Sequence, residues 1–146
     1  MPKPKPSSRR RETAKAAARR TTQARAKQPR LTDPEILEFR YPVLLEDFLI
    51  RKASGGKGRW HAGDGIRRTI RFLETMEYTV LSGHRRIRPF GLAGGEDGLI
   101  GENYVRRKDG TMERLKGADA TVVEAGEAII IQTPTAGGYG TPEKAS

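Results

Sequence analysis

The side chains that could do chemistry in this sequence are few, and they follow no pattern that a catalytic site requires. The two histidines, His61 and His84, match no metal-ligand spacing, and exposed loop positions are the simpler interpretation. Neither Ser54 nor Ser82 lies in the Gly-x-Ser-x-Gly turn that presents a nucleophilic serine. The sequence also lacks the Gly-x-x-x-x-Gly-Lys-Ser/Thr loop that cradles nucleotide phosphates. These motifs therefore assign no catalytic or cofactor-binding residue, and we predict no metal site.

Two charged groups and one aromatic residue carry weaker signals. Glu96, Asp97 and Glu102 lie in glycine-rich sequence and could ligate a hard cation, although solvated turn residues are the simpler interpretation. The basic run at residues 84–88 could pair with a phosphate or with a partner's carboxylates, or could form a solvated face. Trp60 is expected in the core or at an interface.

The glycines are the most informative feature of the chain. All 17 lie between Gly55 and Gly140, and most cluster at residues 54–58, 91–101 and 137–140. Because glycine costs conformational entropy on folding, such clusters mark backbone with positive φ or a close approach. We expect these loops to act as rigid turns or as backbone surfaces that close on a partner.

The elements that position these loops are predicted to be one short helix followed by strands. Thr32 or Asp33 can cap a helix whose first turn contains Pro34, and Pro42 must end it. Short β-rich runs separated by glycine turns follow. The sequence therefore predicts a mainly β fold, a short-stranded sandwich or barrel-like module with one short N-terminal helix, and α+β as the alternative.

Two hairpins are predicted within this β region. The first spans residues 103–115 and turns at Asp109-Gly110, a strong hairpin signal. The second spans residues 121–133 and turns at residues 124–127.

The charge of the chain is concentrated at its start. The whole sequence has 28 basic and 18 acidic residues, and residues 1–30 hold eleven of the basic residues and one of the acidic ones. The remainder is therefore neutral. We predict a disordered basic extension at 1–29 and a β-rich module at 30–146. Nucleic-acid contact through residues 1–30 is the less favoured alternative.

Composition also bounds the cellular setting. The chain has no cysteine, which excludes disulfides and thiolate metal sites. No apolar run is long enough for a membrane span, so we expect no membrane contact and a cytoplasmic location.

Six blocks in fixed order resemble the C-terminal end of the hydantoinase B/5-oxoprolinase family, whose members are B-type subunits of ATP-dependent cyclic-amide hydrolases. The resemblance covers most of the module. The blocks that carry it are residues 30–43, 54–60, 63–65, 81–85 with 89–95, 98–103 and 133–142.

The resemblance implies a hydrolase that opens rings such as 5-oxoproline or a hydantoin. ATP and magnesium would be bound by an A-type subunit and not by this chain, and the partners would be that subunit or the remaining B-type sequence. A non-catalytic truncated fragment is the alternative. The candidates that the resemblance gives for contact with substrate or partner are Asp33, Glu35, Arg40, Gly55, Gly56, Arg85, Gly94, Gly95, Asn103, Gly137, Gly138 and Tyr139.

Overall fold

The structure is a computed structural model that describes residues 32–142. Within that range it has one helix and seven strands. These are α1 (Pro34–Arg40), β1 (Val43–Arg51), β2 (Gly65–Phe72), β3 (Met76–Leu81), β4 (Glu102–Arg106), β5 (Met112–Leu115), β6 (Ala118–Val123) and β7 (Ala128–Gln132). The predicted extension at 1–29 and its boundary lie outside the described residues.

The strands form two antiparallel sheets that share a core. One sheet has the order β1-β2-β7-β4-β5 and the other pairs β3 with β6. The core contains side chains of both sheets, and the ring of Phe72 in β2 meets that of Tyr78 in β3 edge to face, with centroids 6.3 Å apart. The prediction of a mainly β fold with one short helix is confirmed, and the described strands do not close into a barrel.

The helix follows its sequence signals. It spans seven residues from Pro34 to Arg40. A 3.0 Å hydrogen bond from Tyr41 N–H to the Leu37 carbonyl closes its last turn. It lies beside β1, where the Glu38 carboxylate accepts a 2.6 Å hydrogen bond from Leu45 N–H. No helix among residues 32–142 is long and apolar enough to cross a bilayer.

The first predicted hairpin is confirmed. Strands β4 and β5 pair antiparallel from Asn103–Leu115 to Arg106–Met112. Their turn is closed by a 2.9 Å bond from Arg107 N–H to the Thr111 carbonyl, and Gly110 has φ of 85°. An Asp-Gly turn needs this positive φ, which explains why it signals a hairpin.

The second predicted hairpin is wrong. A turn does form, with a 3.0 Å bond from Glu127 N–H to the Glu124 carbonyl, but the strands that it joins belong to different sheets. Strand β6 pairs with β3, whereas β7 lies between β2 and β4. The reason is burial: Ala128, Ile129 and Ile130 are consecutive and all buried, so β7 needs neighbours on both sides and cover on both faces.

The outward face of the large sheet is charged. Glu46 pairs with Arg106 at 2.6 Å and with Arg71 at 3.6 Å, and Arg114 pairs with Glu102 at 3.2 Å. Because these side chains are partly exposed, each pair contributes little to stability. The pair with Glu46 explains why Arg71 stands between the core residues Ile70 and Phe72 in β2.

Candidate functional site

The three glycine clusters meet in one place, which we call the glycine junction and define as residues 54–60, 89–99 and 135–140. Its last segment is hydrogen-bonded to both of the others. Gly56 N–H donates to the Ala136 carbonyl at 3.0 Å, Leu92 N–H to the Gly138 carbonyl at 2.9 Å, and Gly138 N–H to the Glu96 carbonyl at 2.8 Å. Loops far apart in sequence thus form a single hydrogen-bonded backbone unit.

Close approach is the reason for glycine at the centre of the junction. A Cβ on Gly138 would clash with the Lys57 carbonyl, and a Cβ on Gly95 would clash with the Gly138 carbonyl. Both obstacles are backbone atoms that cannot rotate away. The reason for glycine at position 94 is different. Gly94 has a φ of 89°, a backbone conformation that residues with a side chain rarely adopt.

A carboxylate fixes the first loop of the junction. The side chain of Asp64 accepts hydrogen bonds from the N–H groups of Ala53, Ser54 and Gly55 at 3.1, 2.9 and 3.0 Å. The bond from Gly55, supported by the other two, holds the pKa of Asp64 below its usual range even though desolvation acts to raise it. Asp64 therefore fixes the start of this loop together with the preceding residue, Ala53, whose φ is 58°.

Two buried hydroxyls link the same loop to the others. Thr135 Oγ1 donates to the Ser54 carbonyl at 2.8 Å and accepts from Leu99 N–H at 2.7 Å. Ser54 Oγ accepts from Gly65 N–H at 2.9 Å. Ser54 thus serves the junction as a structural acceptor.

The outer rim of the junction is apolar and exposed. Trp60 and Tyr139 exchange two backbone hydrogen bonds, of 2.9 and 3.0 Å, and their side chains are 66% and 55% exposed. Phe90 and Leu92 are exposed beside them. The prediction that Trp60 lies in the core is wrong, since its backbone is needed in the junction while its side chain faces outward; its place at an interface stays a prediction.

Two of the three acidic residues that could have held a cation make other contacts. Asp97 accepts a 2.9 Å hydrogen bond from Gly91 N–H, and Glu102 pairs with Arg114. Within residues 32–142 no group of three or more histidine, aspartate or glutamate side chains could hold a metal ion.

A second feature is a groove of about 870 Å³, which we call the Arg85 groove. It lies where the ends of β3 and β5 meet the loop after β3 and the turn before β6. Its lining residues are Leu81, Ser82, His84, Arg85, Arg86, Ile87, Gly101, Glu102, Arg114, Leu115, Lys116, Gly117 and Ala118.

The structure brings Arg85, which lines this groove, into contact with a second predicted candidate, Asn103. Arg85 Nη2 donates to Asn103 Oδ1 at 3.1 Å, and Asn103, which is fully buried, donates through Nδ2 to Ser82 Oγ at 3.1 Å. A Cβ on Gly101 would occupy the position of the Arg85 guanidinium. Gly101 therefore leaves the space in which that group lies.

The other candidates divide between the junction and the helix. Gly55, Gly56, Gly94, Gly95, Gly137, Gly138 and Tyr139 all belong to the junction by its definition. Asp33 precedes α1, Glu35 lies in its first turn and Arg40 in its last, so these three lie outside both the junction and the groove.

Sequence reasoning missed the residues that hold these features in place. Asp64, Thr135 and Gly101 lie in the blocks that carry the family resemblance but were given no individual role, and the contribution of β5 to the groove through Arg114 was not predicted. Asp64 had a readable signal, because an aspartate near a glycine loop can cap its N–H groups. The others act through contacts with distant segments, which no local pattern encodes.

Comparison with known proteins gives consistent matches. The profile of the hydantoinase B/oxoprolinase family matches residues 15–142. The chain is 47% identical over 112 residues to 5-oxoprolinase 1 of Arabidopsis thaliana, covering 77% of this chain and 9% of that protein. It is 43% identical over 107 residues to 5-oxoprolinase of Saccharomyces cerevisiae, covering 73% and 8%.

A solved structure is also similar. The chain superposes on ATP-dependent caprolactamase from Pseudomonas jessenii with a TM-score of 0.66 and 30% identity, covering 75% of this chain and 20% of that one. The beta subunit of caprolactamase from the same organism is 32% identical over 115 residues. The chain thus spans about a tenth of the 5-oxoprolinases and a fifth of the caprolactamase chain.

Proposed function

Because the chain belongs to the hydantoinase B/oxoprolinase family, we propose that it supplies part of a B-type subunit in an ATP-dependent hydrolase of cyclic amides. The substrates would be rings such as 5-oxoproline or a hydantoin, and the reaction would break the ring C–N bond by addition of water. The observation that carries the proposal is the family match across residues 15–142, because this range includes all three segments of the glycine junction.

ATP and magnesium are assigned in this proposal to a partner. The described residues offer no cluster of carboxylates and histidines for a metal ion, and the sequence has no phosphate-binding P-loop. Both observations support assigning the nucleotide and its metal to the partner. In this proposal the partner is an A-type subunit or the remaining B-type sequence.

The part of this chain would be to present a rigid surface to that partner. The junction is fixed by backbone bonds among three loops, so little conformational entropy remains to be lost on association. Its rim exposes Trp60, Phe90 and Tyr139, and aromatic side chains of this kind dominate the energetics of protein interfaces. The rim is the surface that we expect the partner to cover.

A chimera tests this proposal. Residues 32–142 replace the aligned segment of 5-oxoprolinase 1 of Arabidopsis thaliana, and ATP-dependent conversion of 5-oxoproline to glutamate is measured together with phosphate release. We expect an active chimera. Trp60→Ala in the chimera should lower activity, because it removes a rim side chain from the interface.

The matched control is Phe39→Ala, which removes another exposed aromatic side chain, 93% exposed on α1 and outside the rim. This variant should keep the activity of the chimera. A chimera that is soluble and assembled but inactive would contradict the proposal. Ring opening by the full chain alone, with ATP and magnesium, would contradict the assignment of the nucleotide to a partner.

A further inference from the structure

The Arg85 guanidinium is held in a fixed orientation. Its Nη1 donates to the Gly83 carbonyl at 3.1 Å, and its Nη2 donates to Asn103 Oδ1 at 3.1 Å. Asn103 is itself fixed, because it is fully buried and donates to Ser82 Oγ. An arginine ordered in this way has already lost much of the side-chain entropy that ligand binding would otherwise cost.

The positive charge of Arg85 is not compensated within the described residues. Four cations line the groove, Arg85, Arg86, Arg114 and Lys116, against the single carboxylate of Glu102. That carboxylate pairs with Arg114 at 3.2 Å, whereas Arg85 forms no ion pair with any carboxylate in residues 32–142. Burial lowers the pKa of Arg85, as expected for a desolvated cation that lacks a counter-ion.

Aliphatic surface lies beside this charge. Leu81 is 88% exposed and Ile87 is 77% exposed, and both line the groove together with Leu115 and Ala118. A small inorganic anion would leave this surface in contact with water. A ligand with both an acid group and an aliphatic part would cover it, and burial of the aliphatic part would strengthen binding.

We propose that the Arg85 groove binds a carboxylate that carries an aliphatic chain. The planar guanidinium would bind the carboxylate, and Leu81 and Ile87 would contact the aliphatic part. The carboxylate could belong to a free fatty or amino acid, or to an acidic residue next to an aliphatic one in a polypeptide. The proposal does not depend on hydrolase activity, so its test uses neither ATP nor a partner subunit.

Residue-resolved NMR titration of the full chain tests this. The probes are sodium hexanoate, sodium acetate, inorganic phosphate and the peptide acetyl-Leu-Glu-Leu-amide. We expect hexanoate to shift the amide signals of residues 81–87, 101–102 and 114–118 with a dissociation constant on the order of 1 mM. Acetate should bind the same residues about tenfold more weakly, because it lacks the aliphatic chain. Signals of residues 1–30 are left out because any anion will affect them.

The matched variants are Arg85→Gln and Arg88→Gln, which remove one charge each from the same loop, although Arg88 does not line the groove. Arg85→Gln should weaken hexanoate binding about tenfold, and Arg88→Gln should leave it unchanged. Ile87→Ser, at a site too exposed to disturb folding, should abolish the preference for hexanoate over acetate.

The two sources of carboxylate are separated by the probes. Binding of hexanoate alone favours a free acid, and binding of the peptide alone favours a polypeptide. Failure of both would overturn the proposal. So would equal shifts with phosphate and hexanoate, or an Arg88→Gln effect as large as that of Arg85→Gln.

Discussion

At the scale of single residues, glycine has two different functions in the junction. Gly94 provides a positive φ, whereas Gly138 provides room for the Lys57 carbonyl. The distinction matters for mutagenesis, because strain at a positive φ is local, while a side chain at a close approach must separate two segments. We therefore expect the largest losses of stability where the added side chain would collide with the backbone of another segment.

Gly138→Ala should lower the free energy of unfolding by about 1–3 kcal/mol, the cost typical of overpacking. The added methyl group would push residues 135–140 away from the first glycine loop. The matched control is Gly63→Ala, whose Cβ would meet no atom within 4 Å. This control should change stability by about 1 kcal/mol or less, and in the stabilising direction. Urea unfolding of both variants measures the difference; equal effects would contradict the close-approach argument.

Asp64 gives the junction a pH dependence. Its pKa is lowered in the folded state, so its contribution to stability is present above the usual carboxyl value, about 3.9. That contribution is lost as the pH falls through the lower folded pKa. Asp64→Asn should therefore reduce the urea midpoint of unfolding at neutral pH. At acidic pH the difference in midpoint between this variant and the native chain should disappear.

The comparison variant for this prediction is Asp97→Asn, since Asp97 accepts one backbone hydrogen bond in the junction whereas Asp64 accepts three. Its midpoint should fall less at neutral pH. If the difference in urea midpoint between the native chain and Asp64→Asn stayed constant from neutral to acidic pH, the charge of Asp64 would have no role.

At the scale of elements, the sequence predicted what is encoded locally. The helix between Pro34 and Pro42 and the hairpin at Asp109-Gly110 are both present, because proline and a positive-φ glycine act within a few residues. The sequence also predicted the turn after β6, but it did not predict that this turn joins strands of two different sheets. Partner choice for β6 and β7 depends on which faces are buried, and that is decided by strands far away in sequence.

The candidate site shows the same division. The glycine loops could be recognised from composition and from the family resemblance, and Arg85 and Asn103 were both candidates. Their contact with each other could not be read from the chain, since it depends on Gly101 leaving space and on the position of β4. The charge that Arg114 of β5 adds to the groove was missed because it also depends on contacts between distant segments.

The turn between β6 and β7 is stabilised by a buried carboxylate. Glu127 is 5% exposed. It accepts a 2.9 Å bond from Arg107 Nη1 and another of 2.9 Å from Glu124 N–H. Burial acts to raise the pKa of Glu127, but these bonds outweigh it and keep the pKa below its usual value. Because Arg107 also donates to the Val122 carbonyl at 2.8 Å, the pair fixes the point where the chain changes sheets.

Glu127→Ala should therefore lower the free energy of unfolding by about 1.5–3 kcal/mol, as expected when hydrogen bonds to a charged group are lost and donors stay buried. Glu113→Ala is the control, because Glu113 contacts the same arginine at 2.6 Å but is half exposed. Its loss should cost about 1 kcal/mol or less. Denaturant unfolding distinguishes them, and a larger effect at Glu113 would show that the exposed pair dominates.

At the scale of the whole molecule, charge and fold are separate properties. The net charge of +10 belongs to residues 1–30, since basic and acidic residues are equal in number after them. The glycine junction and the Arg85 groove lie in the neutral part. Both lie within residues 32–142 and outside the basic segment, so the contribution of that segment to binding can be tested separately.

Any affinity of the full chain for DNA should therefore reside in residues 1–30. Binding by clustered arginines follows counterion release, with a slope of log K against log salt of about 0.9 for each phosphate contact. Replacing Arg9, Arg10 and Arg11 by glutamine should reduce that slope.

The matched control makes the same replacement at Arg85, Arg86 and Arg88, which removes equal charge from the neutral part. Fluorescence anisotropy with a duplex at several salt concentrations measures both slopes. If the second triple variant lost as much slope as the first, the described module itself would contact DNA, and its groove would be a polyanion site rather than a carboxylate site.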